Sequence, residues 1–588
     1  MVFPVLNLLF VFLFPINPAA VDPRIEIELQ KHQTVDVLCV FRSELTELGA
    51  ITRPFEFKAQ KGNYVFKHLR AEAKIKQALL IRYLEHNHID YYSFFIINAI
   101  QVPKADAKLI QYLSTRPEIA RLEYNQPYAL MRPEATTLDL NFLETRGPHA
   151  IEWGIGRIRA DTLWQLGIKG QGVVLGSSDT GVELHPAIKN NYRGTLSNQN
   201  LNHNYNWHDA IHSISPLNKD SISMPNVNPC GLDVGAPCDD HNHGTHTVGT
   251  MAATDFQTGV APEAKWIGCR CMERGWGSLA TYLECFQWFL APTDLNNDNP
   301  DPAKAPHVIN NSWGCIQEEG CNSSNFGTME QVVKNLKAAG IFITVSAGND
   351  GSQGCGSIND PPAILEPAFS VGATAINDTI ASFSSRGPVT IDLSGRVKPN
   401  ISAPGVAIRS TIRNGGFVTW NGTSMASPHV SGAVALLISA FPTLSGKVEL
   451  LEDILEKSAD PKTIRFGCGK DSAFTVPNIV YGYGRLNVYK AYLYTKQLLT
   501  TAIPAMGKIA LKIFPNPFNQ RVIFEFGRKV VVKRLVIYDV HGRVVYSQSG
   551  SVSTALELVT TGWTQGFYFY QVQTEDGLRQ GKMILRND

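Results

Sequence analysis

The sequence lacks an excess of charge of either sign. Its 588 residues carry 53 Lys and Arg against 52 Asp and Glu. A nucleic-acid partner or a polybasic membrane contact would call for a concentrated positive field, and neither is indicated. Beyond the first 20 residues no segment has the length and apolarity of a transmembrane helix. There is no Cys-x-x-Cys pair to open a thiolate metal site. No tandem repeat is evident, and no histidine cluster carries the glutamate of a His-Glu-x-x-His helix. The length itself excludes one compact core, so three or four domains are expected.

The opening residues are apolar (VLNLLFVFLF) and end in NPAA. Residues 1–20 therefore read as a secretory signal peptide, with the cut expected after Ala20. No Lys or Arg precedes the apolar run and Pro18 stands close to the cut, so a misplaced start or a membrane anchor is the alternative. Ten cysteines suit an exported chain. Cys230 with Cys238, and Cys315 with Cys321, flank short loops that a disulfide would close. Cys269, Cys271, Cys285, Cys355 and Cys468 supply one or two further bridges whose pairing stays open. Cys39 stands apart and is expected as a buried thiol.

Chemistry concentrates in Asn421 to Leu437, NGTSMASPHVSGAVALL. A Gly-Thr-Ser turn runs into a small, apolar helical pattern. Ser424 stands at the helix N-terminus, whose unpaired N–H groups and partial positive charge suit a developing oxyanion. Gly422, Ala426 and Ser427 leave room for a substrate backbone. Pro428 is expected in the first turn, where a missing N–H costs little. A serine hydroxyl needs a base and an orienting carboxylate. His243, in DDHNHGTHTVGTMAA, and Asp179, closing the apolar strand of GQGVVLGSSDTG, supply both. Asp, His, Ser is one of three chain orders in which this constellation occurs. Alone, Asp-Thr-Gly reads as a turn. His241, His243 and His246 with Asp239 and Asp240 also have the look of a zinc set. The absent glutamate, and Gly244 suggesting a turn, favour a base.

The segments SSDTGVELHP, HNHGTHTVGT, VINNSWG, VSAGNDG, FSSRGP, APGV and GTSMASPHVSGAVALL, in this order, closely resemble the subtilisin-like serine proteases. APTDLNNDNPDPAKAPHVINNSWG is most similar to the bacillopeptidase F branch. The resemblance spans roughly residues 150 to 495 and implies an α/β protease domain over 151–500, with a parallel sheet flanked by helices. It makes Ser424 the nucleophile, His243 the general base, Asp179 its orienting partner and Asn349 an oxyanion donor. It places Gly277, Ser312, Trp313, Gly314, Ala347 and Gly348 along the substrate cleft, where the Gly275–Ser278 stretch could take an extended peptide as an added strand. Trp313 reads equally well as core. No cofactor or metal enters the chemistry. Asp294 to Asp301, DLNNDNPD, spaces oxygen ligands as a structural calcium loop would. Without the glycine and distal glutamate of an EF-hand, a solvated turn is favoured. A monomer acting on protein or peptide substrates is expected.

Residues 21–130 alternate as β-α-β-β-α-β: VDVLCVF, KHLRAEAKIKQALLIRYLEHN, YYSFFIINAIQV, ADAKLIQYLSTRP, IARLEYNQPY. This small α+β, ferredoxin-like order resembles the inhibitory prodomain of the same proteases, an intramolecular inhibitor whose tail enters the cleft. The linker at 131–150 is where maturation is expected. Residues 509–588 become all-β, with alternating runs between Gly and Asn turns, and suggest a small β-sandwich. PNPFN, IYDVHGRVV and GFYFYQVQTEDG resemble the C-terminal sorting domains of type IX secretion, which implies that machinery as a partner and release or attachment at the cell surface. A carbohydrate- or matrix-binding sandwich is the alternative there. For the whole chain the rivals are a catalytically silent surface binding protein and a zinc hydrolase.

Overall fold

The computed structural model describes residues 19–43, 47–125, 127–129, 134–135, 151–215, 218, 228–314, 323, 325–463, 475–501, 511–540, 543–575 and 577–586. Most of the expected signal peptide and maturation linker, residues 502–510, Cys315, Cys321 and Cys468 lie outside them. The chain forms two compact units, Met1–Thr495 and Lys496–Asp588. No helix of the described residues is long and apolar enough to cross a membrane.

The first unit opens with β1 (Ala20–Val21), β2 (Thr34–Phe41), β3 (Tyr92–Phe94), β4 (Ala99–Asp106) and β5 (Ile119–Tyr124). Their sheet order is β1-β5-β2-β4-β3, with β2 antiparallel to both β4 and β5. The expected signal-peptide boundary at Ala20 falls within β1, which pairs in parallel with β5. Strand side chains alternate between faces, and β2 buries both. Val37, Cys39 and Phe41 pack with Leu80, Leu84, Ile110 and Leu113 of the local helices. Leu38 and Val40 join a second core with Phe94, Ile96, Leu283 and Phe286. That second core continues into the helices Leu279–Leu290 and Phe326–Ala338, so the N-terminal sheet is seated on two helices of the central α/β region. Cys39 is a buried free thiol.

The central sheet has β8 (Val174–Asp179), β9 (Trp207–Asp209), β10 (Lys265–Arg270), β13 (Val308–Asn311), β14 (Phe342–Ser346), β15 (Phe369–Thr374) and β16 (Ile401–Pro404). All neighbours pair in parallel, in the order β16-β15-β14-β13-β8-β10-β9. Parallel strands covered on both faces read as near-continuous apolar runs, and β13 to β16 are buried throughout. A helix from Thr423 to Ala440 packs across β13 to β16 and against the His243–Ala252 helix. In such sheets sites gather beyond the carboxyl ends of the strands. Those ends carry Asp179, Ser312 and the loop to Asn349.

Short strands border that edge: β6 (Pro127–Ala129), β7 (Glu134–Ala135), β11 (Met272–Glu273), β12 (Trp276–Ser278), β17 (Ile408–Thr411) and β18 (Phe417–Asn421). Disulfides join Cys230 to Cys238 and Cys269 to Cys285, Cys355 is also disulfide-bonded, and Cys271 is a buried free thiol.

The second unit is all-β: β19 (Lys512–Phe514), β20 (Arg521–Tyr538), β21 (Val544–Val559), β22 (Gly566–Thr574) and β23 (Gly577–Leu585). β20 links them: it pairs with β21 along its length, with β19 at one end and with β22 at the other, around a core that includes Val522, Phe524, Leu535, Val572 and Met583.

Candidate active site

Asp179 ends β8 and is pinned there. Its carbonyl accepts Cys271 N–H at 2.9 Å, and its Oδ1 accepts Thr180 N–H at 2.8 Å. The same Oδ1 lies 2.7 Å from His243 Nδ1, and both side chains are 0% exposed. His243 is the first residue of the His243–Ala252 helix, so Gly244 is helical and not the turn expected of it. Its lack of a side chain has another cause: a Cβ there would collide with the Gly181 carbonyl oxygen. The close approach of strand end and helix start depends on that glycine. His243 Nε2 has no hydrogen-bond partner among the described residues.

The neighbouring histidines and carboxylates do not converge. His246 stacks on Trp420, with ring centroids 4.7 Å apart, and burial, with His243 beside it, pulls its pKa down to about 3. Asp240 faces the buried Arg270 at 2.8 Å; burial pushes its carboxyl up to about 7 against the pull of that cation. Among the described residues no group of three or more His, Cys, Asp or Glu side chains is placed to hold a metal ion.

Ser424 is the second residue of its helix, after Gly422 at the cap. Its hydroxyl donates to the Ser312 carbonyl at 2.9 Å. In return the Ser312 hydroxyl donates to the Ser424 carbonyl at 2.9 Å. The return bond has a sequence cause. Pro428 does not sit in the first turn as expected but inside the helix, sixth in line. It has no N–H for the carbonyl four residues back, which is that of Ser424, and Ser312 supplies the donor instead. Asn310 holds Ser312 Oγ at 2.9 Å and accepts Ser427 Oγ at 2.9 Å. Asn349, on the loop after β14, uses its Oδ1 to accept Thr423 N–H at 3.0 Å and Thr423 Oγ1 at 2.9 Å. Its Nδ2 is thereby turned toward the Gly422–Ser424 turn, 3.7 Å from the point a Gly422 Cβ would occupy. A hydroxyl, an amide donor and first-turn N–H groups thus meet at one helix end, where negative charge is favoured.

The cleft edges are taken by the chain itself. β6 pairs antiparallel with β12, Tyr128 opposite Gly277. β7 pairs antiparallel with β18, Glu134 opposite Asn421 and Ala135 opposite Trp420. Gly277 has to be glycine, because a Cβ would press on the Tyr282 hydroxyl and the Cys271 carbonyl. Trp313 is 1% exposed and stacks on Tyr282 at 3.7 Å, so it is core behind the cleft. Ser312 is buried against Ser424. Ala347 N–H bonds the Val371 carbonyl at 3.0 Å, Gly348 N–H bonds Thr423 Oγ1 at 3.2 Å, and Gly314 is buried. Thr180 and Trp420 went unnoticed in the sequence. The signal for Trp420 was its place just before the Asn-Gly-Thr-Ser turn, but a tryptophan ending a β-run reads as core.

The model of the subtilase family matches residues 170–484. The chain belongs to the subtilase family. A second model, the secretion system C-terminal sorting domain, matches residues 512–586 of this subtilase. That domain marks it for type IX export, to the cell surface or beyond. Bacillopeptidase F of Bacillus subtilis (strain 168) is 36% identical over 450 residues, which cover 74% of this chain and 28% of that protein. Subtilisin DY of Bacillus licheniformis is 30% identical over 300 residues, covering 50% and 87%. Alkaline elastase YaB of Bacillus sp. (strain YaB) is 29% identical over 324 residues, covering 54% and 68%. This subtilase therefore spans little more than a quarter of the length of bacillopeptidase F.

Proposed function

We propose that this subtilase is a secreted serine endopeptidase made as a zymogen. The observation that carries the reading is the buried Asp179–His243 pair, 2.7 Å apart, with His243 Nε2 left unpartnered. Ser424 Oγ attacks the peptide carbonyl while His243 Nε2 takes its proton. To do so the hydroxyl rotates away from the Ser312 carbonyl. Asp179 orients the imidazole and stabilises its charged form. Asn349 Nδ2 and the Ser424 N–H hold the oxyanion. His243 then protonates the leaving amine, and a water, activated by the same histidine, hydrolyses the acyl-enzyme. The chemistry asks for no cofactor. At the Asp294 loop the carboxylate already accepts Asn296 and Asp298 N–H at 3.0 Å and Asn299 Nδ2 at 2.9 Å, which supports a self-closed turn over a calcium site.

The zymogen reading rests on the N-terminal sheet. Its sheet, in the order β1-β5-β2-β4-β3, and its seat on two helices suit a folded inhibitor. β6 and β7 occupy edges an extended substrate would use. They bracket residues 130–133, where we place the maturation cut. The enzyme acts as a monomer on unfolded protein segments. The rival, a silent binding protein, leaves the paired Asp179 and His243 without a use.

The test compares the full-length chain with its Ser424→Ala variant, following casein cleavage and the mass of the N-terminal fragment. Wild type should shed its first ~130 residues, the extent of the inhibitor ahead of the bracketed stretch. The variant should do neither, with turnover lower by about 10⁶-fold. A deliberately cut wild type that stays inactive would move the assignment to the binding protein.

A further inference from the structure

Asp239 lies four residues before His243 and outside the three motif residues Asp179, His243 and Ser424. It is 2% exposed, and its carboxylate accepts five hydrogen bonds. Oδ1 takes Thr180 Oγ1 at 2.9 Å, His241 N–H at 2.8 Å and Asn242 N–H at 2.9 Å. Oδ2 takes Thr245 N–H at 3.0 Å and Thr245 Oγ1 at 2.6 Å. Four of these donors stand within two residues of His243, on both sides of it. The fifth belongs to the residue after Asp179. Because Thr180 spends its hydroxyl proton on Asp239, its oxygen is left to accept Gly244 N–H at 3.0 Å. Thr180 N–H meanwhile holds Asp179 Oδ1. A helix cap would bond only its own helix; this carboxylate also grips the strand end that carries the partner acid. It further holds the turn at Asn242, whose φ of +82° puts a non-glycine residue in the left-handed region.

We propose that Asp239 is a positioning residue for the catalytic pair, acting through Thr180 and Gly244 to set the Asp179–His243 distance and the direction of Nε2. The inference rests on the serine-peptidase reading. Misplacing a catalytic group by about 1 Å costs of order 10²-fold in rate, and the bonds to Asp239 are the ones that prevent such a shift.

The cut that a full-length zymogen makes in itself is first-order, so its rate reports the chemical step without substrate binding. We would measure that rate, and the rate of Ser424 labelling by a serine-directed phosphonate, for wild type, Asp239→Asn, Thr180→Val, Thr180→Ser and Ser424→Ala. Melting temperature and near-UV circular dichroism would be recorded on each. Asp239→Asn and Thr180→Val should each slow both rates by about 10²-fold with the fold kept. Thr180→Ser, which retains the hydroxyl, should recover most of the rate. The Asp239→Asn/Thr180→Val double variant should be no slower than the worse single one, since both break one chain of contacts. Folded Asp239→Asn that processes within about threefold of wild type would overturn the inference, as that is too small a change in transition-state stabilisation. If Asp239→Asn does not fold, the Val and Ser variants at Thr180 decide it alone: equal rates in those two overturn it. A Ser424→Ala chain that matures at the wild-type rate would instead remove the peptidase reading underneath.

Discussion

The two halves of the site are built to different degrees of readiness. On the histidine side the working contact is already made: Asp179 and His243 are fully buried and 2.7 Å apart. On the serine side the hydroxyl is turned away, donating to the Ser312 carbonyl, and Asn349 presents Nδ2 to a space no protein acceptor fills among the described residues. The contrast has a physical basis. An aspartate–imidazole bond gains from burial because low-dielectric surroundings screen it less than water would. A nucleophile has to move, and an oxyanion donor does its work only once charge develops. One half is therefore fixed beforehand by a buried network of hydrogen bonds, and the other is held by hydrogen bonds that can be exchanged.

Asn349 gives the largest effect that would sharpen this contrast. On the proposed mechanism Asn349→Ala removes a donor that acts only on the transition state, so kcat should fall by about 10²–10³-fold with KM little changed. Steady-state kinetics on the matured enzyme with a peptide substrate would show it. A loss confined to KM would mean that Asn349 binds substrate and that the serine half is not the electrostatic one.

Ser312→Ala comes next and should act on stability. It leaves the buried Ser424 carbonyl, already deprived of an N–H by Pro428, without its donor. An unsatisfied buried acceptor costs about 1–3 kcal/mol, readable as a lower urea midpoint in a Ser424→Ala background. Adding Pro428→Ala restores a helix N–H for that carbonyl, so the double variant should be more stable than Ser312→Ala alone. If the second change only destabilises further, the reciprocal pair is not what holds the serine turn.

Much of this was legible in the sequence, for reasons that can be traced. β8 could be read because a buried parallel strand is apolar until it meets its turn, which puts Asp179 at the edge. The glycine of HNHGTH was noticed but suggested a turn, where the fold uses it for the close approach of helix start and strand end. The N-terminal alternation in VDVLCVF marked β2, although nothing in it shows that Leu38 and Val40 pack on another part of the chain. What stayed hidden depends on partners far away in sequence. Pro428 reads as a first-turn proline unless Ser312, more than a hundred residues earlier, is known to supply the missing donor. Trp313 reads as cleft or as core equally well until Tyr282 is placed flat against it. Asp239 looks like one acid in a polar run, because its bond to Thr180 joins the loop before the histidine helix to the turn after β8. In each case local pattern gives the residue's element and tertiary contact gives its role.

The smallest expected effect compares the two halves through their buried neutral histidines. His246 lies in the histidine helix and His429 in the serine helix. Burial pulls the first from 6.5 down to about 3 and the second down to about 4, where the Met425 carbonyl bonded to His429 Nδ1 opposes the fall. The groups facing His246 are the Trp420 ring, the backbone of Val418 and Ile408, His243 and His429, none of them an anion that would welcome its proton. A histidine with a folded pKa below its unfolded value takes up its proton more readily when unfolded. The stability it contributes is therefore complete above pH 6.5 and drains away as the pH falls toward the folded value. His246→Phe keeps a ring against Trp420 and removes that titration. In the Ser424→Ala background its urea midpoint should fall less than the parent's between about pH 7.5 and about pH 4.5. Over that range the same change at His429 should flatten the profile by about as much, because both folded values lie below it, and the two should part only below about pH 4. Equal slopes for parent and His246→Phe would mean that acid sensitivity resides in the carboxylate pairs, and that the histidine half is no more dependent on neutrality than the serine half.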